Sequence, residues 1–376
     1  MHFLPRGNYF LSTKNLNAMK NISSVVIATH FFSYGPGQAL RDYFKKNTSV
    51  QLIYLEHNLF GNVLTWAYHI LKNIYITLTS LKKHDLYVGC NNLNALSGII
   101  LKKIGVVKYT IYYCIDFSPN RFSNYFLNEI YLLLDQYCVK NSDSVWNCCA
   151  PTMGLDPMIL MRESIGLPRH YRKKQIAVQD GTEIICLPDE GQITENKIGF
   201  VGHLKVENGL FTLIEAYKIV RSQVPGVSLM IIGSGPIEEQ IHAALNGDEN
   251  VEMTGYMGDI KQVLNKLSHC SIGVAPYEIN NLTPYSDPGK VKAYMSAGLA
   301  IVMSSVPDIA KFVDENGCGI VCEPGDPNKL ATALLEVIKN KDLQFKLRAS
   351  SKSIRESLTW DSTYNKVFDG LSMRFK

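Results

Sequence analysis

Short runs of β-branched and other apolar residues alternate with longer stretches of helical spacing along most of the chain. In the first half, apolar runs occur at 24–30, 50–55, 85–90, 107–114 and 144–149. In the second half, they occur at 197–202, 227–233, 250–255, 270–277, 300–304 and 319–323. Strand-length runs that alternate with helical segments predict parallel strands joined by helical crossovers.

The two series are separated by an irregular basic and polar stretch at 166–196, in which we predict one short strand at 183–187. The pattern therefore predicts an α/β protein with two Rossmann-like, doubly wound domains that face a ligand-binding cleft. The expected parts are a disordered leader at 1–20, a first domain at 21–180, a second domain at 181–356 and a C-terminal helix at 357–376 that crosses back to the first domain.

Composition excludes several classes of protein. The 376 residues carry a net charge of +4, which is too small and too dispersed to indicate a nucleic-acid partner. The nine cysteines form no CxxC pair, and no histidine cluster has metal-ligand spacing, so neither a disulfide framework nor a structural zinc site is expected. We predict a cytoplasmic protein without a transmembrane helix or signal peptide, whose chain starts at Met1 or Met19.

Two glycine-containing loops follow strands of the second half and open helices, as phosphate-binding loops do. The first is GHLKVENG from Gly202, and the second is GSGP from Gly233. The second loop places Glu238 where the dinucleotide-binding fingerprint requires a third glycine, which disfavours a nicotinamide-dependent reductase.

Lys290 lies in the turn SDPGK, near the start of a predicted helix that ends before Gly298. A cation at a helix N-terminus opposes the helix dipole. A bound diphosphate would reverse that cost, because backbone amides, dipole and ammonium would all contact one anion. A solvated lysine on a surface helix is the alternative, and the sequence leaves both open.

Several of these segments together resemble the nucleotide-binding domain of group 1 glycosyltransferases with the GT-B fold. The similar motifs are VGHLKVENG, IIGSGP and SDPGKVKAYMSAGLAIV, and the last is closest to bacterial polysaccharide-assembly members. The resemblance runs from about 197 to 369, and FFSYGPGQALRDYF and YYCIDFSPNRF extend it to the first half.

The resemblance implies an acceptor-binding first domain, a second domain that binds a nucleotide sugar, and sugar transfer to a glycan or lipid-linked acceptor in cell-surface polysaccharide synthesis. It implies neither a metal nor another cofactor. The implied diphosphate contacts are Gly202, His203, Lys205, Gly233, Ser286, Asp287 and Lys290. The implied contacts to the base or the donor sugar are Tyr256, Met257, Tyr277, Glu278 and Tyr285.

This chain departs from the family pattern in two places. His203 and Asn208 replace an arginine and a lysine of the first loop. The carboxylate pair of retaining members falls on Tyr285 and Ala293, which favours inversion at the anomeric carbon. The departures leave two alternatives open: a GT-B domain that binds a nucleotide or partner without catalysis, and a nucleotide-sugar epimerase of the same build.

An inverting enzyme needs a base for the acceptor hydroxyl, which the resemblance places in the first domain. Asp116 follows an apolar strand and is the first candidate, although it could instead initiate a turn or pair with Arg121. His30, at the end of the first strand, is the second candidate and could instead pack a loop. The remaining acceptor-side candidates are Gly35, Gly37, Gln38 and Arg121; the glycine-rich stretch has the alternative role of a tight turn.

A predicted helix at 62–83 combines apolar residues at helical spacing with a basic end, and RHYRKK at 169–174 adds a second basic patch. Such a helix could lie on anionic lipid at the inner face of the membrane. A core helix with a solvated basic end is the alternative.

Overall fold

A computed structural model of the chain describes residues 22–371 apart from 31–34, 58–62, 81, 150–155, 246, 281–282 and 284–286. The predicted leader at 1–20 lies outside the described residues, as do Tyr285 and Ser286. The described residues form two parallel six-stranded sheets with helices between successive strands.

The first sheet has the strand order β2-β1-β3-β4-β5-β6. Its strands are β1 (Ser24–His30), β2 (Gln51–His57), β3 (His84–Cys90), β4 (Val107–Cys114), β5 (Ser144–Cys148) and β6 (Gln175–Val178). The helices of this half are α1 (Pro36–Asn47), α2 (Val63–Thr79), α3 (Asn92–Lys103), α4 (Tyr125–Asn141) and α5 (Pro157–Ser164). Strands β1 and β5 are buried along their whole length, as expected for a parallel sheet covered on both faces.

The second sheet has the order β12-β11-β10-β7-β8-β9. Its strands are β7 (Lys197–Val201), β8 (Ser228–Ile232), β9 (Val251–Gly255), β10 (Ile272–Ala275), β11 (Ala300–Ser304) and β12 (Gly319–Cys322). The helices are α6 (Leu210–Gln223), α7 (Glu238–Ala244), α8 (Ile260–Ser268), α9 (Gly289–Ser296), α10 (Ile309–Glu315), α11 (Pro327–Lys339) and α12 (Lys341–Ile354).

The prediction of a strand at 183–187 is wrong. The sixth strand of the first sheet is instead β6, which pairs with β5 directly after the basic segment RHYRKK. Residues 183–187 form no strand, and the only bridge beside them joins Thr182 to Thr359 among the described residues. A four-residue strand between polar segments carries too little periodicity to be recognised from sequence.

The C-terminal helix α13 (Trp360–Leu371) completes the core of the first half. Its residues Trp360, Tyr364 and Phe368 pack with Tyr43 of α1, and the Tyr364 hydroxyl donates to the Pro36 carbonyl over 2.7 Å. Leu358, two residues before the helix, belongs to the core of the second half. The predicted α/β fold with a C-terminal helix that returns to the first domain is confirmed.

All nine cysteines are free thiols, and seven of them are buried. None of the helices within the described residues is long and apolar enough to cross a membrane.

Candidate functional site

The strand orders indicate where each sheet opens to a ligand. In the second sheet the order reverses between β7 and β10, and in the first sheet it reverses between β1 and β3. Ligands of open α/β sheets bind outside the carboxyl ends of the strands at such a reversal. The loops that begin at Gly202 and Pro276 flank the reversal of the second sheet, and His30 ends β1 at the reversal of the first.

Lys290 lies in the first turn of α9 and places a buried ammonium group beside the loop after β7. Its Nζ atom is 4.4 Å from the ring centroid of Phe200 and 4.5 Å from that of Tyr277. That atom is buried, and none of the described residues forms a hydrogen bond with it. A buried, unpaired charge is costly, so this ammonium is poised for an anionic partner.

Gly202 allows the backbone to approach this ammonium group. Its φ is +142°, and a Cβ atom built there would lie 3.1 Å from Nζ of Lys290. Only glycine provides this conformation without strain and keeps the space beside the ammonium open. Gly202, predicted as a diphosphate contact, therefore lies against Lys290.

Burial and, to a smaller extent, the positive charge of Lys205 together lower the pKa of Lys290 to about 7. The effect of Lys205 on this pKa indicates that its exposed ammonium lies near that of Lys290. An anion between Lys290 and Lys205 would stabilise the charged form of Lys290 in two ways. It would replace the hydration that the ammonium loses on burial, and it would screen the repulsion between the two lysines.

Gly233, also predicted as a diphosphate contact, has a packing role in the structure. Its φ is +142°, and a Cβ atom there would lie 2.0 Å from the carbonyl oxygen of Gly202. Gly233 thus holds the loop after β8 directly against the loop that carries Gly202.

Gly233→Ala is expected to lower the free energy of unfolding by about 3 kcal/mol, because alanine meets both a disfavoured φ and the Gly202 carbonyl. Urea denaturation measures the loss. Gly226→Ala is the matched control, since a Cβ atom at Gly226 meets nothing within 4 Å, and its change should stay within about 0.5 kcal/mol. Equal stability of the two variants would contradict this packing role.

Asn208, which replaces a lysine of the family pattern, fixes the conformation of the first loop. The buried Asn208 side chain donates to the His203 carbonyl over 2.6 Å. Gly209 follows with φ +70°, and its Cβ would lie 1.6 Å from the Pro276 carbonyl oxygen. These contacts fix the backbone of the loop, and the side chains of His203 and Lys205 are exposed on it.

Tyr277 and Glu278, both predicted as contacts to the base or the donor sugar, differ in burial and in the groups that they contact. Tyr277 is buried and forms a wall around the Lys290 ammonium, so its ring contacts the lysine. Glu278 is half-buried and accepts a hydrogen bond of 2.5 Å from Thr212 of α6, which fixes the carboxylate at the mouth of the loop.

Asp287 was predicted as a diphosphate contact, but the structure places its side chain in the interior. It forms an ion pair with Lys292, and both side chains are at most 1% exposed. One of its oxygens also accepts a 2.9 Å hydrogen bond from the backbone N–H of Asp180, between the two sheets. Asp287 therefore attaches the segment before α9 to the connection between the domains.

Sequence reasoning missed Lys292, Asp180 and Phe200 as parts of this region. The signal for Lys292 was its position among the apolar residues of α9, where an unpaired lysine is rarely buried. Asp180 and Phe200 have no such signal, because their contacts come from residues more than 80 positions away.

Tyr256 directly follows β9 and is 61% exposed, so its ring is available to stack on a nucleobase. Met257 beside it is half-buried and packs against the core of the second domain.

Asp116 lies just beyond the carboxyl end of β4 and forms an ion pair with Arg121. The alternative role considered for these residues is thus present in the structure. The two side chains nevertheless remain 53% and 39% exposed, so the carboxylate is accessible to an acceptor.

His30 is buried at the end of β1. Burial and, to a smaller extent, the nearby His57 and His69 together lower its pKa to about 4. Asn94 approaches its Nδ1 atom at 3.3 Å. His30 is 5% exposed and already contacts Asn94, so an acceptor reaches it less easily than the half-exposed Asp116, and His30 is the weaker candidate in this conformation.

The acceptor-side candidates at the start of α1 mainly pack the helix. A Cβ atom at Gly37 would lie 2.5 Å from the Thr29 hydroxyl oxygen, so this glycine seats α1 on β1. Gln38 is buried and donates to Glu56 over 2.7 Å, and Gly35 is the buried N-cap of the helix. Their arrangement supports the tight-turn alternative.

No group of three or more histidine, cysteine or acidic residues within the described part of the chain is arranged to hold a metal ion.

Residues 195–340 match the family described as "Glycosyl transferases group 1". An uncharacterized glycosyltransferase of Methanocaldococcus jannaschii is 22% identical over 211 residues, which are 55% of this chain and 56% of that protein. The sulfoquinovosyl transferase SQD2 of Arabidopsis thaliana is 24% identical over 170 residues, or 44% and 31% of the two chains. The chain thus spans about half, or less, of the length of these curated relatives.

Two solved structures share the fold over nearly the whole chain. HepE from Anabaena superposes with a TM-score of 0.69 at 16% identity and covers 94% of this chain and 100% of its own. Sucrose-phosphate synthase from Thermosynechococcus elongatus gives a TM-score of 0.68 at 15% identity, with coverages of 94% and 98%. Residues 195–340 therefore form a domain of the group 1 glycosyltransferase family, in a chain with the two-domain GT-B fold.

Proposed function

We propose that this protein transfers a sugar from a nucleoside diphosphate sugar, with UDP as the first candidate nucleotide, to a glycan or lipid-linked acceptor of cell-surface polysaccharide synthesis. The observation that carries the proposal is the buried Lys290 ammonium beside Gly202, which has no hydrogen-bond partner in the part of the chain that the structure describes. The choice of UDP is supported by HepE, whose structures contain UDP with glucose, and UDP-glucose.

The diphosphate would bind between Lys290 and Lys205, against the backbone of Gly202. Two cations and the N-terminus of α9 would then meet the negative charge that develops on the leaving group. Because these groups supply positive charge at the diphosphate, the proposed reaction is independent of a metal. Tyr256 would stack on the base, and Glu278 would hydrogen-bond the donor sugar.

In the proposed reaction, the acceptor oxygen bonds to the anomeric carbon as the bond from that carbon to the diphosphate oxygen breaks. The acceptor proton passes to Asp116, and the electron pair of the broken bond leaves with the nucleoside diphosphate. Inversion is favoured because Ala293, where retaining relatives of the family pattern carry a carboxylate, is a buried methyl group.

A domain that binds a nucleotide without catalysis is the second candidate. It is favoured by the position of Asp287, which the resemblance implies as a diphosphate contact but which lies buried in an ion pair with Lys292. The two functions differ in one readout: both bind nucleotide, and only the transferase releases UDP from a UDP-sugar when acceptor is added.

Thermal unfolding should be measured with UDP, GDP, ADP, CMP and dTDP, with uridine as the phosphate-free control. A nucleotide at 100 times its Kd should add about 2.7 kcal/mol to the free energy of unfolding, whereas uridine should add much less. One nucleotide that clearly stabilises the chain would support the donor site and identify the base. A protein that responds to none of them, or equally to uridine, would contradict the diphosphate site at Lys290.

A further inference from the structure

Helix α2 is amphipathic in the opposite sense to a usual surface helix, because its polar side faces the protein. His69, Asn73 and Thr77 are all at most 7% exposed. Asn73 bonds to the ring of His57 at 2.6 Å and donates to Asn94 of α3 over 3.0 Å. The polar residues of α2 thus fix the helix to β2 and α3.

The outward side of α2 is apolar. Its exposed large side chains recur every three or four residues and are 41–79% exposed: Leu64, Tyr68, Leu71, Tyr75 and Leu78. Ile74 and Ile76 pack on the core of the first half, as expected for the alternative of a core helix, but that alternative does not account for these exposed residues. A stripe of leucine and tyrosine with this exposure is unusual on a surface that faces only water.

The stripe continues across two neighbouring helices. Helix α2 packs against α3, and α3 packs against α4. The exposed apolar residues of α4 are Tyr125, Phe126, Ile130 and Leu133. Leu96 and Ile100 of α3 are half-buried between the two helices. We call the exposed side chains of α2 and α4 the outer apolar face.

Positive charge borders this face at one end. Parallel crossovers place the C-termini of α2, α3 and α4 at the same edge of the sheet. Exposed lysines lie at or just after these termini: Lys82, Lys83, Lys103 and Lys140. The three helices contain only two carboxylates, Glu129 and Asp135, and Asp135 is buried in an ion pair with Arg162. Two more follow the helices, but Asp85 accepts hydrogen bonds from Ser23 and Asp143 is paired with Lys102.

We propose that the outer apolar face docks on an anionic bilayer surface. Its leucine and aromatic side chains would enter the boundary between headgroups and acyl chains, and the lysines would contact lipid phosphates. A second copy of the chain fits less well, because the face offers almost no carboxylate to pair with the lysines of a partner. The surface is separate from the donor site, so it does not depend on which nucleotide binds.

The opposite ends of the same helices lie at the carboxyl edge of the first sheet, where His30 and Asp116 also lie. A chain docked through this face would hold that edge close to the membrane. An acceptor carried on a lipid could then reach the first domain without leaving the bilayer.

Flotation of the full chain with lipid vesicles tests this proposal. We expect it to bind vesicles that contain phosphatidylglycerol, to bind phosphatidylcholine vesicles much less, and to dissociate as salt rises. Leu71→Gln combined with Tyr75→Ser should reduce the partition coefficient at least about tenfold. Lys82→Gln and Lys83→Gln, both in an exposed connection, should each reduce it about fivefold.

Phe345→Ser is the matched control, because Phe345 is 61% exposed on α12 of the second domain and its loss should not change vesicle binding. The thermal response to UDP should be unchanged in every variant, which separates this test from that of the donor site. Equal binding of the wild type and the Leu71/Tyr75 variant would overturn the proposal. So would a dimer in sedimentation velocity that this double substitution converts to monomer, since a second copy would then cover the face.

Discussion

Lys290→Met is expected to weaken UDP binding by about 10- to 150-fold, the loss of a charge-assisted contact worth about 1.5–3 kcal/mol. Methionine keeps most of the side-chain volume between the rings of Phe200 and Tyr277 and removes only the ammonium group. Titration calorimetry measures the affinity. Lys329→Met is the matched control, because Lys329 also lies in the first turn of a helix but is exposed there.

The same substitution should make the unliganded protein more stable by about 1–3 kcal/mol, since an unsatisfied buried group is removed. The folded-state pKa of Lys290 is about 7, below its ordinary value of 10.5. The destabilisation caused by its charge is therefore fully present below pH 7 and fades as the pH rises toward 10.5. The stability difference between variant and wild type should narrow over that range.

UDP binding to the wild type should weaken as the pH rises above about 7, because the ammonium must then be reprotonated when the anion binds. The Kd of Lys290→Met should lack this component of the pH dependence. A variant that binds UDP like the wild type at pH 6 would show that the anion does not contact Lys290.

Asp116→Asn is expected to reduce sugar transfer by about 100- to 10,000-fold, because asparagine cannot accept the acceptor proton. The Kd for UDP should change little, since the proposed diphosphate contacts belong to the second domain. The measurement is UDP release from a UDP-sugar with and without acceptor.

Asp42→Asn is the control for this substitution, because Asp42 is also a partly exposed aspartate paired with an arginine. It should leave transfer unchanged. If Asp116→Asn retains full transfer, the Asp116–Arg121 pair has only a structural role, and His30→Asn becomes the next variant to measure.

The alternation of apolar runs was sufficient to predict the fold. Each strand predicted in the second half matches one of the six observed, since long periodic segments dominate that half. Lys290 could be identified because a lysine at a helix N-terminus needs an explanation. The rings that enclose it could not, since Phe200 and Tyr277 come together only in the folded chain.

The errors arose where distant residues satisfy polar groups. The position of Lys292 among apolar residues indicated a buried lysine, but nothing in the sequence indicated that Asp287 would also bond to the backbone of Asp180, 107 residues away. The polar residues of α2 could not be assigned to the interior, because their partners His57 and Asn94 lie on other elements. A buried polar face is invisible until its hydrogen-bond partners are known.

The chain passes between the two cores twice, and the two passages are bonded together. The first passage follows β6, and the second runs from Leu358 in one core to Trp360 in the other. The backbone N–H of Thr182 in the first donates to the Leu358 carbonyl in the second over 2.9 Å. The two passages are therefore held side by side where the chain leaves one core for the other. Because α13 also completes the first core, a fragment that ends before Trp360 would lack part of that core and should be less stable than the full chain.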